Sequence, residues 1–464
     1  MNCKQSDIYR KYRQINNINF ETENQTYSSF SGLVVFQKLF INLGLKAKLK
    51  LCFKNNLLQG VIQYHSIMLM LIVHILLGYR ELRDQRFYAD DPMVKRLLGM
   101  DQLPSVSSIS RALSNAETND VNNLRQLGKS SVLDRLSDLS LSRITIDFDG
   151  SVLSTTRRAE GSAVGFNKKK KGARSYYPLF CTVAQTGQVF DFHHRAGNVH
   201  DSNGANTFIL DCIKQIRSGT ASNMIIESRM DSAFFSDQVV TMLDTNNVEF
   251  TQSVPFERFP ELKKYIEDNS DWIEHDDEHA FFELDWKPDS WKEMNFRFIA
   301  VRREVKKQIK GPIQLDLFVP YDYKHEFKVI LTNKTSQAHS VLMFHNGRGS
   351  QENIFSELKS QAQMDYVPTN TKNGNQIYLL ATIFAHNLTR ELQMRTHAAE
   401  RITTPKRTAL WPFKKIGTLR KKMIQRAGRI TKPGGVITLT MAGNQAVKDL
   451  VCLFLCKLDS PICK

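Results

Sequence analysis

The sequence predicts an α/β fold with an N-terminal helical domain and a β-rich insertion, on three observations. Apolar residues keep a helical rhythm from about Gly32 to Asn115, and near Ile144 the rhythm changes to period two. From Ile144 to Val254 strand-like and helical runs alternate. Basic strand-like runs then precede a return to helical periodicity lasting to about position 397. A chain of 464 residues has room for two or three domains.

Residues 1–30 are polar and mixed in charge, which predicts a flexible N-terminus and no signal peptide. A helical domain over 31–130 follows, with Leu33-Val34-Val35-Phe36 and Leu39-Phe40 ahead of a stop at Gly44. The dense apolar run Ile67 to Leu77 is too short to span a bilayer and reads as a buried helix ending at Gly78. Pro92 and Gly99 bracket a short helix in the order helix starts and stops prefer. The serine-rich opening before Val106 can cap another helix, with Arg111 facing out. That element is either the DNA-reading helix of a helix-turn-helix or an ordinary capped helix.

A first core segment covers 140–255. Ile144, Ile146 and Phe148 alternate with Thr145, Asp147 and Asp149, so both aspartates share one strand face, about 7 Å apart. Like charges side by side repel unless something neutralises them, which points to a metal site or to a partly exposed edge strand. A basic loop (Lys168 to Lys171, Arg174) leads to a hairpin, Tyr176 to Ala184 and Gln188 to His193, turned at Thr186-Gly187. Ala205 to Ile216 is helical, Met224 to Ile226 is a short buried strand followed at once by the run Ser228 to Phe235 that holds Asp231, and Val248 to Val254 is the next strand.

The insertion, 256–335, opens with Glu267 to Asp285, which holds nine acids and no Lys or Arg. Such a run reads as a solvated face or a partner for basic segments rather than a metal site. Strand-like runs follow at Phe296 to Arg303, Leu315 to Val319 and Phe327 to Leu331. Trp286 and Trp291 are either core residues of this small sheet or platforms for a base.

The second core segment, 336–400, contains His345, Arg348, Glu352 and Lys359. On one helix Arg348, Glu352 and Lys359 fall within roughly 40° of each other, and His345 extends the line if the helix starts that early. Ile354 and Leu358 point to the core. This face holds a carboxylate between cations, as metal or phosphate chemistry requires, or it is an amphipathic surface with salt bridges. Residues 366–397 form a long helix that packs it onto the sheet.

The basic C-terminal region, 401–464, carries eleven Lys or Arg and no acid between Arg401 and Lys432, including Arg420, Lys421 and Lys422. Trp411 and Phe413 lie among them, which favours an ordered DNA-contacting element over a solvated tail. The net charge of +16 agrees with a polyanionic partner. Seven scattered cysteines without a C-x2-C pair predict no zinc site and fit a reducing intracellular compartment.

The spacing H-x2-R-x3-E-x6-K from His345 resembles the Y-x2-R-x3-E-x6-K signature of bacterial insertion-sequence DDE transposases, with His345 where that family has Tyr. Arg229-Met230-Asp231 is similar to the R-x-D around the family's second acid, and Ile146 to Gly150 to the D-x-D around its first. The element order looks like the ribonuclease-H-like core of that family, and the resemblance, over about 30–440, is closest to transposase DDE domain group 1. It implies catalytic and metal-binding roles for Asp149, Asp231 and Glu352, with Asp147 the second choice for the first acid. Two Mg²⁺ ions are implied, with Mn²⁺ able to substitute; three acids suit such hard cations. Asp149 would bridge both ions, with Asp231 and Glu352 on one each. The resemblance implies contacts to DNA from His345, Arg348 and Lys359, and base stacking by an insertion tryptophan. It implies cut-and-paste transposition of double-stranded DNA through terminal inverted repeats, a homodimer in the synaptic complex, and a cytoplasmic, nucleoid-associated protein. The alternatives are a structure-specific nuclease with the same core and a non-catalytic DNA-binding descendant.

Overall fold

The sheet that carries the first two acids is larger than the alternating pattern between Ile144 and Val254 predicts. In the computed structural model, which describes residues 26–54, 63–155, 158–165, 167, 169–200, 203–255, 258–291, 296–304, 325–401 and 403–459, it has nine strands. In chain order these are β1 (Arg143–Gly150), β2 (Leu179–Val183), β3 (Gln188–His193), β4 (Ile225–Met230), β5 (Val248–Ser253), β6 (Ile273–Glu274), β7 (His279–Leu284), β8 (Arg297–Glu304) and β9 (His325–Thr332). Their spatial order is β6-β7-β8-β9-β5-β4-β1-β2-β3. β1, β4 and β5 run parallel, and every other neighbouring pair is antiparallel.

β1, the β2–β3 hairpin, a helix at Ala205–Ser218, β4, a helix at Asp237–Thr245 and β5 form the ribonuclease-H-like half. The hairpin turns at Gly187, whose φ of +59° suits a residue without a side chain. The insertion does not build a separate sheet. β9 pairs with β5 from Ile330↔Ser253 to Thr332↔Thr251, so the inserted strands continue the core sheet and cover what would be an open edge. The expected strand at Leu315 to Val319 and most of the expected N-terminal segment 1–30 lie outside the described residues.

Period two sorts the side chains of β1–β3 between two cores. Ile144, Ile146, Phe148, Cys181 and Val183 meet the helices Ala205–Ser218 and Asp237–Thr245 on one face. Phe180, Val189 and Phe192 enter the other core, with the helix Lys372–Thr396, the glutamate helix Gly349–Gln361 and the N-terminal helices. The N-terminal helices thus share one continuous apolar core with the far face of β2 and β3. The apolar helix Tyr64–Leu77 lies in this core with all but one residue buried. Asp91 caps the helix Pro92–Leu98 by accepting from Met93 and Val94 N–H, and Gly99 ends it at φ +67°.

The C-terminal region is ordered differently from its sequence pattern. Gly428–Thr431 and Thr438–Met441 pair as a hairpin, joined by Tyr27–Ser28. The last described element is a helix, Gln445–Asp459, burying Val447, Val451, Phe454 and Leu458 along one stripe. Trp411 and Phe413 turn inward: Trp411 is buried and donates to His397 O at 2.9 Å, and Phe413 lies under the Arg390 guanidinium. The segment is held down partly through Glu227 on β4, which is fully buried and accepts from Arg407, Lys334, Arg143 and Thr145. Burial works against the Glu227 charge, but Arg407 and Lys334 hold its carboxyl down at about 2. Among the described residues no helix is long and apolar enough to cross a membrane.

Candidate catalytic cleft

Two aspartates separated by one residue on a strand cannot both occupy the same environment when the strand ends in a cleft. Asp147 is 1% exposed and makes a two-pronged ion pair with Arg229, Nε to Oδ1 at 2.5 Å and Nη2 to Oδ2 at 2.7 Å. Burial pushes the Asp147 carboxyl up, and the guanidinium beside it pulls the other way. With both oxygens engaged and no opening to the cleft, Asp147 is corrected from a second-choice metal ligand to a buried strut.

Arg229 is itself completely buried, and its Nη1 also donates to Phe344 O and Lys406 O. The first residues of the D-x-D and R-x-D motifs are therefore partners of each other. Asp147 and Arg229 face each other across the parallel β1–β4 ladder. Asp149 and Asp231 each lie two residues further on, at the carboxyl ends of adjacent parallel strands, where open α/β sheets hold their ligands.

The third acid is brought over by a break between two helices. The helix Ala338–Asn346 ends, Gly347 crosses Arg229, and the glutamate helix begins. A Cβ on Gly347 would lie 2.0 Å from Lys406 O and 2.1 Å from Arg229 Nη1, so the crossing requires glycine. Gln351, fully buried, donates from Nε2 to Asp147 O at 3.0 Å and seats this helix on β1. Its neighbour Glu352 is exposed in the first helical turn, where the helix dipole favours an anion.

Asp149, Asp231 and Glu352 line one cleft of about 1590 Å³. Asp149 accepts from Gly150 N–H at 2.7 Å and is 3.5 Å from Arg348 Nη1. Asp231 caps a single helical turn through Ala233 N–H at 3.0 Å. Lys359 also lines the cleft; burial and nearby Lys169 push its ammonium down, against Asp365 and Asp149. Lys169, Lys170 and Arg174 of the basic loop are part of the same wall. Arg80, Arg158 and Arg258 belong to it too, and sequence reasoning missed them because no periodicity joins them to the acids. The three acids do not converge on one point, since their oxygens are not all within 4.8 Å of one another.

Several expected DNA contacts lie elsewhere. His345 is 1% exposed on the preceding helix, its ring nitrogens at 2.9 Å from Ser253 Oγ and 3.0 Å from Thr251 Oγ1. Burial, with Lys328, Arg348 and Arg229 nearby, pushes its pKa well below the usual value, and both ring nitrogens are spent on tying the helix to β5. The helix break at Gly347 takes it off the face shared by Arg348, Glu352 and Lys359. Trp291 is buried and stacks on Phe235 at 4.7 Å; Trp286, half-buried, packs edge-on against Phe259 and Phe298. Trp291 belongs to the core, and Trp286 is partly buried against it. Arg420 is half-buried against the ends of two helices, donating to Ile75 O, Leu76 O and Gln361 O, and desolvation pushes its pKa down to about 10. It caps the carbonyls of two helix ends. Lys421, Lys422 and Arg111 are exposed and are not among the residues that line the cleft.

The family described as transposase DDE domain group 1 matches residues 11–460. Among solved structures, a piggyBac transposase synaptic complex with hairpin DNA aligns at 11% identity over 85% of this chain and 80% of that one, with a TM-score of 0.39. A Mos1 mariner paired-end complex with Mn aligns at 9% identity over 53% of this chain and 66% of that one, with a TM-score of 0.17. Likeness at this level adds nothing to the fold described above. No curated protein matches the chain. The family match covers both cores, the insertion and every segment that contributes an acid to the cleft: the chain belongs to the transposase DDE domain group 1 family and is a DDE transposase.

Proposed function

We propose that this transposase binds terminal inverted repeats, nicks them to free a 3′-OH, and joins that end to target DNA, with Asp149, Asp231 and Glu352 as its catalytic acids. The observation that carries the proposal is that acids from three distant segments line one cation-rimmed cleft beyond the carboxyl ends of β1 and β4. Their donors are carboxylate oxygens, a hard set suited to Mg²⁺, with Mn²⁺ as a substitute. Asp149, Asp231 and Glu352 would hold two such ions, whose chemistry would be activation of the attacking oxygen and neutralisation of charge on the leaving oxygen.

The chain's own residues do the positioning. Arg348 holds Asp149 in place by its ion pair and offers further N–H donors to a phosphate. Lys359, Lys169, Lys170 and Arg174 neutralise backbone charge along the wall. Lys421, Lys422 and Arg111 engage DNA away from the reaction centre, and a homodimer brings two ends together.

The test is incubation with paired repeat ends, a plasmid target and Mg²⁺. Joined product is the expected result; cleavage with no joined product would sink transposition in favour of a nuclease. Asp149→Asn, Asp231→Asn and Glu352→Gln are each expected to abolish cleavage while repeat-end binding, followed by gel shift, survives. Cleavage at the wild-type rate by any of the three would remove that residue from the site.

A further inference from the structure

Away from the cleft, the insertion brings a second group of metal-ligating side chains together. His275 and Asp276 lie in the turn between β6 and β7, and His339 is the second residue of the helix Ala338–Asn346. One ligand atom from each lies within 4.8 Å of the other two; among the described residues no other three His, Cys, Asp or Glu side chains are so grouped. We propose that His275, Asp276 and His339 form a zinc site, distinct from the carboxylate cleft, that fastens the insertion to the helix feeding the glutamate helix.

The turn is built to present these atoms. His275 N–H donates to His279 O at 3.0 Å, and Asp276 Oδ1 accepts the N–H groups of Glu278 and His279 at 2.9 and 2.7 Å. The His279 ring holds the same carboxylate, with Nδ1 at 3.0 Å. Fixing a ligand from behind in this way is usual for metal-binding carboxylates. The His275 and His339 rings stack with centroids 3.7 Å apart. His339 Nδ1 is buried with no hydrogen-bond partner among the described residues, a group in need of a proton donor or a metal. Two imidazoles and a carboxylate suit zinc, whereas Mg²⁺ prefers the all-oxygen cleft. Ligand atoms around one tetrahedral zinc lie about 3.3 Å apart, so the exposed His275 and Asp276 side chains need only small rotations to close on the ion. Cysteine spacing cannot reveal such a site, because its ligands are 63 positions apart and include no cysteine.

The experiment uses the full chain, stripped with chelator and dialysed against Zn²⁺ in the presence of excess Mg²⁺ to occupy the cleft. Retention of about one zinc per chain is expected. His275→Ala and His339→Ala should each lose roughly tenfold or more in Zn²⁺ affinity, while Asp231→Asn retains it. Co²⁺ in place of Zn²⁺ should give a visible absorption band that disappears in His275→Ala. His275 is exposed, so metal-free His275→Ala should melt with the metal-free wild type, separating a ligation defect from a folding defect. The proposal is overturned if the wild type retains no zinc under excess Mg²⁺, or if both histidine variants bind it as the wild type does.

Discussion

Replacing Asp147 by alanine distinguishes a strut from a metal ligand, because the two roles predict opposite patterns. The substitution strands the Arg229 guanidinium, fully buried, with Phe344 O and Lys406 O left as its hydrogen-bond acceptors among the described residues. Removing one partner of a buried ion pair costs about 3–5 kcal/mol, because the other charge stays desolvated. The same change at Asp149, whose side chain is 19% exposed and whose cation partner stands at 3.5 Å, should cost about 1 kcal/mol or less. Urea unfolding followed by circular dichroism reads the difference as a large drop in midpoint for Asp147→Ala and little for Asp149→Ala. Mg²⁺-dependent cleavage should show the reverse emphasis, absent in Asp149→Ala and partly retained in whatever fraction of Asp147→Ala stays folded. Arg229→Lys is the companion variant: an ammonium cannot reach both carboxylate oxygens and both carbonyls, so it too should destabilise. If Asp147→Ala unfolds at the wild-type midpoint yet loses Mg²⁺ binding, the strut assignment is wrong.

Other outcomes follow from the same geometry. A lysine that neutralises one phosphate contributes about 0.9 to the slope of log K against log salt, so Lys170→Ala should flatten the salt dependence of repeat-end binding by about that amount, and an unchanged slope would remove Lys170 from the DNA path. Trp291→Ala opens a hole beside Phe235 and should cost about 3–5 kcal/mol in unfolding, with repeat-end affinity per folded molecule unchanged. Glu227 is held at about 2 against an ordinary 4.5, so its stabilisation is complete above pH 4.5 and is lost as pH falls toward 2. The shift corresponds to something on the order of 3 kcal/mol. Arg407→Ala should weaken that acid-side loss, which thermal melts between pH 5 and pH 3 would measure.

Much of this fold can be read from periodicity. The alternation through Ile144, Ile146 and Phe148 gives β1 and its buried face, and Gly187 gives the hairpin turn. The same alternation cannot separate Asp147 from Asp149, which share a face; the distinction comes from Arg229, a neighbour only across the β1–β4 ladder. His345 is continuous with Arg348 by spacing alone, yet the steric demand at Gly347, set by Lys406 from 59 positions away, splits the helix between them. Arg420 looks like one member of a solvated charge block because nothing local shows that two helix ends need their carbonyls capped. Trp286 and Trp291 carry the same ambiguity: an aromatic in a basic, β-rich stretch suits a base or a core equally well, and only Phe235 and Phe259 decide it.

The pairing of β9 with β5 makes the insertion an extension of the plate that bears the first two acids. A lobe on a linker could swing to admit successive DNA partners, but a lobe welded edge to edge by backbone hydrogen bonds moves only if the ladder breaks. Any rearrangement around the cleft therefore falls to the segments bordering it, over a floor that runs as one sheet from β6 to β3.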